Sequence, residues 1–236
     1  MSLNGKYSLG ILLTFVLLAV VMMYTFPLIG FITGIRSLTA VSFFYTRMVF
    51  WIVLGLVILY SHYIEKSSIT LWKDKKYSVA FYVGSVICLY FICAFGSGFL
   101  NLLIKMATQE KTSGKLIQMH SIFKNNYFLI IFTCLTAGVV EEFLMRGYIQ
   151  TRIEKIYKSP FLGIAVSSVL FGILHSTYGT IVQVVGPLFI GIVFALFYKR
   201  YSNIKIIIMC HFLYDFVSLM MMNFIDIKHL SAFLPL

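Results

Sequence analysis

The sequence predicts an all-α fold: a polytopic transmembrane helical bundle of about seven or eight spans, with a site inside the membrane. Three observations predict it. The chain is 60% hydrophobic and only 11% charged, where a soluble domain carries about 25% charged residues. Its mean hydropathy is +0.94, and its apolar residues fall in runs near the length that crosses a bilayer. Finally, the few ionisable residues inside those runs crowd into the C-terminal half.

Seven apolar runs are predicted, at about 9–34, 39–62, 77–104, 127–149, 161–176, 180–199 and 203–224. The first continues past Lys6 to Ile35 without a small-residue cleavage site, so it reads as a retained span and not a removed leader. Pro27 and Pro187 fall inside the first and sixth runs and predict kinks, while Pro160 suits the first turn of the short fifth. No Pro/Ser/Gly-rich linker, low-complexity tract or internal repeat divides the chain, which predicts one membrane domain with short loops. Between the third and fourth runs, "KLIQMHSIFK" reads as a short interfacial helix through Leu116, Met119 and Phe123.

The formal net charge of +11 does not indicate nucleic acid, because the basic residues lie mainly in the connections, where they orient spans and meet anionic lipid headgroups. With the N-terminus inside, the inner segments carry Lys6, Lys66, Lys73, Lys75, Lys76, Arg152, Lys155, Lys158, Lys199, Arg200 and Lys205. The outer segments carry Arg36, Lys105, Lys111, Lys115, Lys124 and Lys228. Eleven against six favours a cytoplasmic N-terminus. Cys88, Cys93, Cys134 and Cys210 lie in apolar runs without ligand spacing and read as packing residues.

In the first three spans Arg47 is the one clear intramembrane charge, and it is expected to snorkel to the nearer interface. The last four hold Glu141, Glu142 and Arg146 on the fourth, His175 on the fifth, and His211 and Asp215 on the seventh. Charges in a membrane are rare and mark function by default. Glu142 and Arg146 are four apart, so they share a helix face and can pair, while Glu141 points about 100° away. His211 and Asp215 are also four apart, as are Phe171 and His175. The remaining histidines, His62, His120 and His229, are expected at span ends or in solvent.

Such a set suits hydrolysis. A carboxylate can take a proton from water, and an imidazole can stabilise the oxyanion. Glu141, His175, His211 and Asp215 also make a plausible Zn2+ set with a position left for water. Spacing leaves the two open, beside the alternative of an inert polar network that locks the helices together.

These residues carry a resemblance. "EEFLMRG" resembles the EExxxR motif, "FGILH" the FxxxH motif and "HFLYD" the HxxxN/D motif of the CAAX-processing and bacteriocin-processing intramembrane proteases, the CPBP or Abi family, which includes the prenyl-protein endopeptidase of eukaryotes. The three occur in family order across residues 125–225, leaving 1–124 as further membrane helices and 226–236 as a tail. The Lys-, Ile- and Phe-rich composition suggests a bacterial protein of the cell membrane, and the resemblance implies a multi-pass endopeptidase acting on a membrane-associated peptide or protein at a site open to the cytoplasmic half of the bilayer. The work implied is maturation of peptide signals or bacteriocins, immunity or envelope regulation. It further implies that Glu141 activates water and that His175 assists or binds metal. Glu142 and Arg146 are the supporting pair, and His211 and Asp215 serve the oxyanion site or a metal. The cofactor is then Zn2+, or none where glutamate alone activates water. Aspartate at 215, in place of the asparagine of the eukaryotic pattern, favours metal over an amide donor.

HExxH, GxSG and GxGD, the signatures of other membrane proteases, are absent from the sequence. The competing classes are a non-catalytic scaffold for a partner such as a sensor kinase, and a proton-coupled transporter, against which the missing repeats argue.

Overall fold

The computed structural model describes residues 1–34, 38–110 and 114–224. The tail at 226–236, with Lys228 and His229, and the loop charges Arg36 and Lys111 lie outside the described residues. Among the described residues there are helices and no strands, and seven helical stretches are long and apolar enough to cross a membrane. The expected all-helical, multi-pass bundle is what forms. The helices are α1 (Leu3–Thr33), α2 (Ala40–Tyr60), α3 (Val79–Thr108), α4 (Gly114–Phe123), α5 (Tyr127–Thr136), α6 (Thr151–Tyr157), α7 (Pro160–Leu174), α8 (Val182–Tyr201) and α9 (Ile204–Phe224). Spans two and four are composite. One π turn, Ser61–Glu65, extends α2, and π-helical turns at Ala137–Glu141 and Phe143–Gln150 join α5 to α6.

A helix end in or near lipid has little water to satisfy its orphan backbone groups, so the sequence supplies partners. Ser2, Ser78, Asn126 and Ser159 each accept from a backbone N–H three residues on, and Thr39 and Ser42 form a reciprocal capping box. Pro160 takes the first turn of α7, where no N–H is needed. Pro27 and Pro187 lie inside α1 and α8.

Side-chain contacts fix which helix ends lie together. At one end, which holds the start of α1, the Tyr60 hydroxyl donates to the Lys6 carbonyl and Ile204 N–H donates to Asp74. Asn203 ties Lys75 to the start of α9, and Lys199 pairs with Glu154. At the far end, Asn125 N–H donates to Asn223, the Ile181 and Val182 N–H groups donate to Glu110, and Lys115 reaches the Thr177 carbonyl. The spans therefore alternate, with α2, α5 and α8 starting at the far end.

Several loop expectations change. The helix expected between the third and fourth spans exists as α4, but it packs inward: Phe123 is fully buried edge-on to Phe43, with ring centroids 5.3 Å apart. His120 on the same helix is buried too, not solvated, because a ten-residue helix docked on α5 and α9 turns one face to the core. Arg152, counted above as a headgroup charge, is wholly buried. Its Nε and Nη2 donate to Glu65 Oε2 at 3.0 and 2.7 Å, Nη2 also donates to the Ser68 carbonyl, and Nη1 donates to the Ile69 carbonyl. Tyr148 donates to the other oxygen of Glu65 at 2.5 Å. Gly10 makes room for this cluster, since a Cβ there would collide with the Tyr148 hydroxyl. Cys88, Cys93, Cys134 and Cys210 are free thiols, all but Cys88 buried.

Candidate active site

The fourth span passes through the interior as π turns, interrupted only at Glu142. The sequence reading expected an α-helix there. A π turn bonds i to i+5 and so holds more residues per turn, and such turns recur at functional sites. Successive side chains then diverge by less than the 100° of an α-helix, so Glu141 and Glu142 can both face inward while meeting different neighbours. Close approach to α9 depends on Gly138: a Cβ at this position would come within 2.9 Å of the Ile208 carbonyl oxygen and 3.2 Å of the Phe212 nitrogen.

Glu142 is the structural carboxylate. It is fully buried, and its Oε1 accepts from Arg146 Nη1 at 3.0 Å and from His211 Nδ1 at 2.7 Å. Arg146 lies over the Phe171 ring, 4.5 Å from the centroid, with Phe194 at 5.8 Å. The expected i,i+4 pair thus forms and acquires a third member from α9. His211 Nε2 faces Asp215 Oδ2 at 3.6 Å, so its ring is gripped from both sides by carboxylates on two helices.

Glu141 differs. Among the described residues it makes no hydrogen bond and no ion pair, and it lines a cavity of about 360 Å³ with His175, His211 and Asp215. His175 begins a 3-10 turn, His175–Tyr178, where α7 ends. Its Nδ1 lies 2.8 Å from the Phe171 carbonyl oxygen. A carbonyl only accepts, so Nδ1 carries the hydrogen and Nε2 is left for the cavity.

All six residues singled out from sequence therefore meet: four line one cavity, and Glu142 with Arg146 packs behind them. Three polar cavity residues come from the first three spans, beside Phe43. Arg47 does not snorkel to an interface. It lines this cavity between Phe43 and Phe50, whose ring centroids lie 4.8 and 4.7 Å from its Cζ. Ser97 and Asn101 of α3 also line it, and the Ser97 and Tyr214 hydroxyls are bonded at 2.9 Å. Polar residues at 97 and 101, one helical turn apart, were the signal that could have found α3.

As to Zn2+, among the described residues no group of three or more His, Cys, Asp or Glu side chains converges as a metal site. Glu141, His175, His211 and Asp215 share a cavity without converging as a ready-made ligand set, although the bonds of His211 Nδ1 to Glu142 and of His175 Nδ1 to Phe171 leave both Nε2 atoms free of those partners.

No curated protein and no solved structure matches the chain. A family model described as type II CAAX prenyl endopeptidase Rce1-like matches residues 123–217. That segment contains all three motifs and all six site residues. Over residues 123–217, about two fifths of its length, the chain is therefore similar to the type II CAAX prenyl endopeptidase Rce1-like family.

Proposed function

We propose that the chain is an intramembrane endopeptidase that hydrolyses a peptide bond of a membrane-associated peptide or protein, with Glu141 as the base that activates water. The observation that carries this reading is the division of labour between adjacent glutamates. Glu142 is tied to Arg146 and His211, whereas Glu141 is bare at a cavity wall opposite two imidazoles.

In the reaction, Glu141 accepts a proton from water while the water oxygen adds to the peptide carbonyl carbon. His175 Nε2, an acceptor in this tautomer, orients the water. His211, held between Glu142 and Asp215 on the cavity wall, donates through Nε2 in its protonated form to the oxyanion that forms. The proton on Glu141 then passes to the amide nitrogen, the C–N bond breaks, and a carboxylate and an amine leave. Asp215 in this account positions the His211 ring and does not itself donate to substrate. Neither the Zn2+ reading nor a natural substrate is needed for these steps.

The test is Glu141→Gln, which keeps size and removes the base. Cleavage of a peptide library by purified protein should fall by about 10²–10⁴-fold, with an unchanged melting curve. Retained cleavage would sink the role of Glu141. If Glu141, His175 and His211 could all be replaced without loss of any cellular phenotype, the scaffold reading would stand instead. Elemental analysis with chelation settles the metal independently: zinc near one per chain, with activity lost on chelation and restored by zinc, would reassign the water to a metal.

A further inference from the structure

Arg47 is a guanidinium inside a membrane span with no carboxylate within ion-pair distance among the described residues, Asp215 across the same cavity acting on it only through space. Its Nε donates to Thr46 Oγ1 at 3.3 Å, and Phe43 and Phe50 flank its plane. Both terminal nitrogens make no hydrogen bond or ion pair among the described residues, and neither Glu141 nor Asp215, which line the same cavity, pairs with it. The other two arginines buried among the spans behave differently, for Arg146 and Arg152 each hold a glutamate. A charge without a direct ion-pair partner is costly in a membrane span. A guanidinium fixed by two rings presents a rigid fork of donors that matches a carboxylate in two parallel bonds. The cavity thus offers one cationic anchor, on the α2 side, and one bare base, on the fourth span.

Their separation can be estimated. Trp51 donates to Thr136 at 3.0 Å, which sets α2 and α5 level at that point, and both helices run from the far end. Arg47 lies four residues before Trp51, and Glu141 lies five beyond Thr136. The two backbones are therefore at most about 13 Å apart along the bundle, at about 1.5 Å per residue in the α-helical part and less in the π turn Ala137–Glu141. Side chains reaching toward each other shorten the gap, so an extended peptide would bridge it with roughly two to four residues.

We propose that Arg47 is the anion subsite of this cavity, and that it takes a carboxylate of the bound peptide a few residues from the bond placed at Glu141. The carboxylate is either an acidic side chain or the C-terminal carboxylate of the peptide. The word substrate rests on the hydrolase reading above; the anion subsite itself rests on Arg47.

The probe is a library of short apolar peptides carrying one Glu, or its isostere Gln, at each position, with free or amidated C-termini. Binding is read on immobilised Glu141→Gln protein, which cannot cut, and on the same protein with Arg47→Gln added. Carboxylate peptides should be retained about tenfold or more over their amide counterparts by the first and not by the second. Arg47→Lys, which keeps the charge but not the fork, should retain only part of that preference, and it replaces Arg47→Gln should the latter melt early. Preference for Glu at one fixed position identifies a side chain, and preference for free over amidated ends identifies the terminus. No preference, or a preference that survives loss of Arg47, overturns the proposal. Cleavage of the same library by the unsubstituted protein is a separate readout. No cleavage alongside an Arg47-dependent preference would defeat the hydrolase reading and leave the anion subsite standing.

Discussion

Two arginine–glutamate pairs are buried in this bundle, and they are built to opposite ends. In the Arg152 cluster every side is closed. Both oxygens of Glu65 are engaged, by Arg152 and Tyr148, and Arg152 spreads its remaining donors over Ser61, Ser68 and Ile69. In the Arg146 cluster the pairing is partial. Glu142 Oε2, Arg146 Nε and Arg146 Nη2 are buried without a hydrogen-bond partner among the described residues, and the cluster backs directly onto the cavity. A saturated network welds helices, whereas an unsaturated one keeps polar groups in reserve at high local cost. The difference separates a strut from a working site more sharply than the presence of charge does.

The comparison can be broken from the strut side first. Arg152→Met strands Glu65 in the interior and should lower stability by about 3–5 kcal/mol, read as loss of the folded form on heating in detergent. Glu142→Gln should destabilise less, by about 1–3 kcal/mol, because the amide still accepts one hydrogen bond and the cluster is already incomplete. Its larger effect should be on cleavage, since His211 loses a carboxylate partner; a variant with unimpaired turnover would show that the Glu142–His211 contact is idle. Gly138→Ala should cost about 1–3 kcal/mol by overpacking against Ile208. Because the strain falls where the fourth span meets α9, turnover should drop more than the melting temperature suggests. Equal losses in both would mean that Gly138 serves packing alone.

Much of this was legible in the sequence wherever the information was local. Span positions followed from apolar runs, and the Glu142–Arg146 pair followed from i,i+4 spacing on one helix. What failed was long-range. Arg152 and Glu65 are 87 residues apart, and nothing in either neighbourhood marks the other as partner, so a buried strut was read as a loop charge. Arg47 was misread for a related reason: a charge near the start of a span can snorkel outward or turn inward, and only the flanking α5 and α9 decide. The π turns of the fourth span were invisible because they depend on backbone bonds that Gly138 and the α9 contact permit, not on any residue pattern.

The cavity is lined by the first halves of α2, of the fourth span and of α8, by Met119 of α4, by the last portions of α3 and α7 and by α9 from His211 onward, and it lies toward the bundle end remote from residue 3. That placement couples two questions of geography. On the hydrolase reading proposed above, a leading segment anchored in the cytosol would put the site on the exterior half of the bilayer, within reach of exported polypeptides. Cutting of cytosolic clients would require the chain to enter the membrane the other way round, against its lysine bias. A single compartment-sensitive reporter on the amino end thus tells which pool of polypeptides the protein can reach.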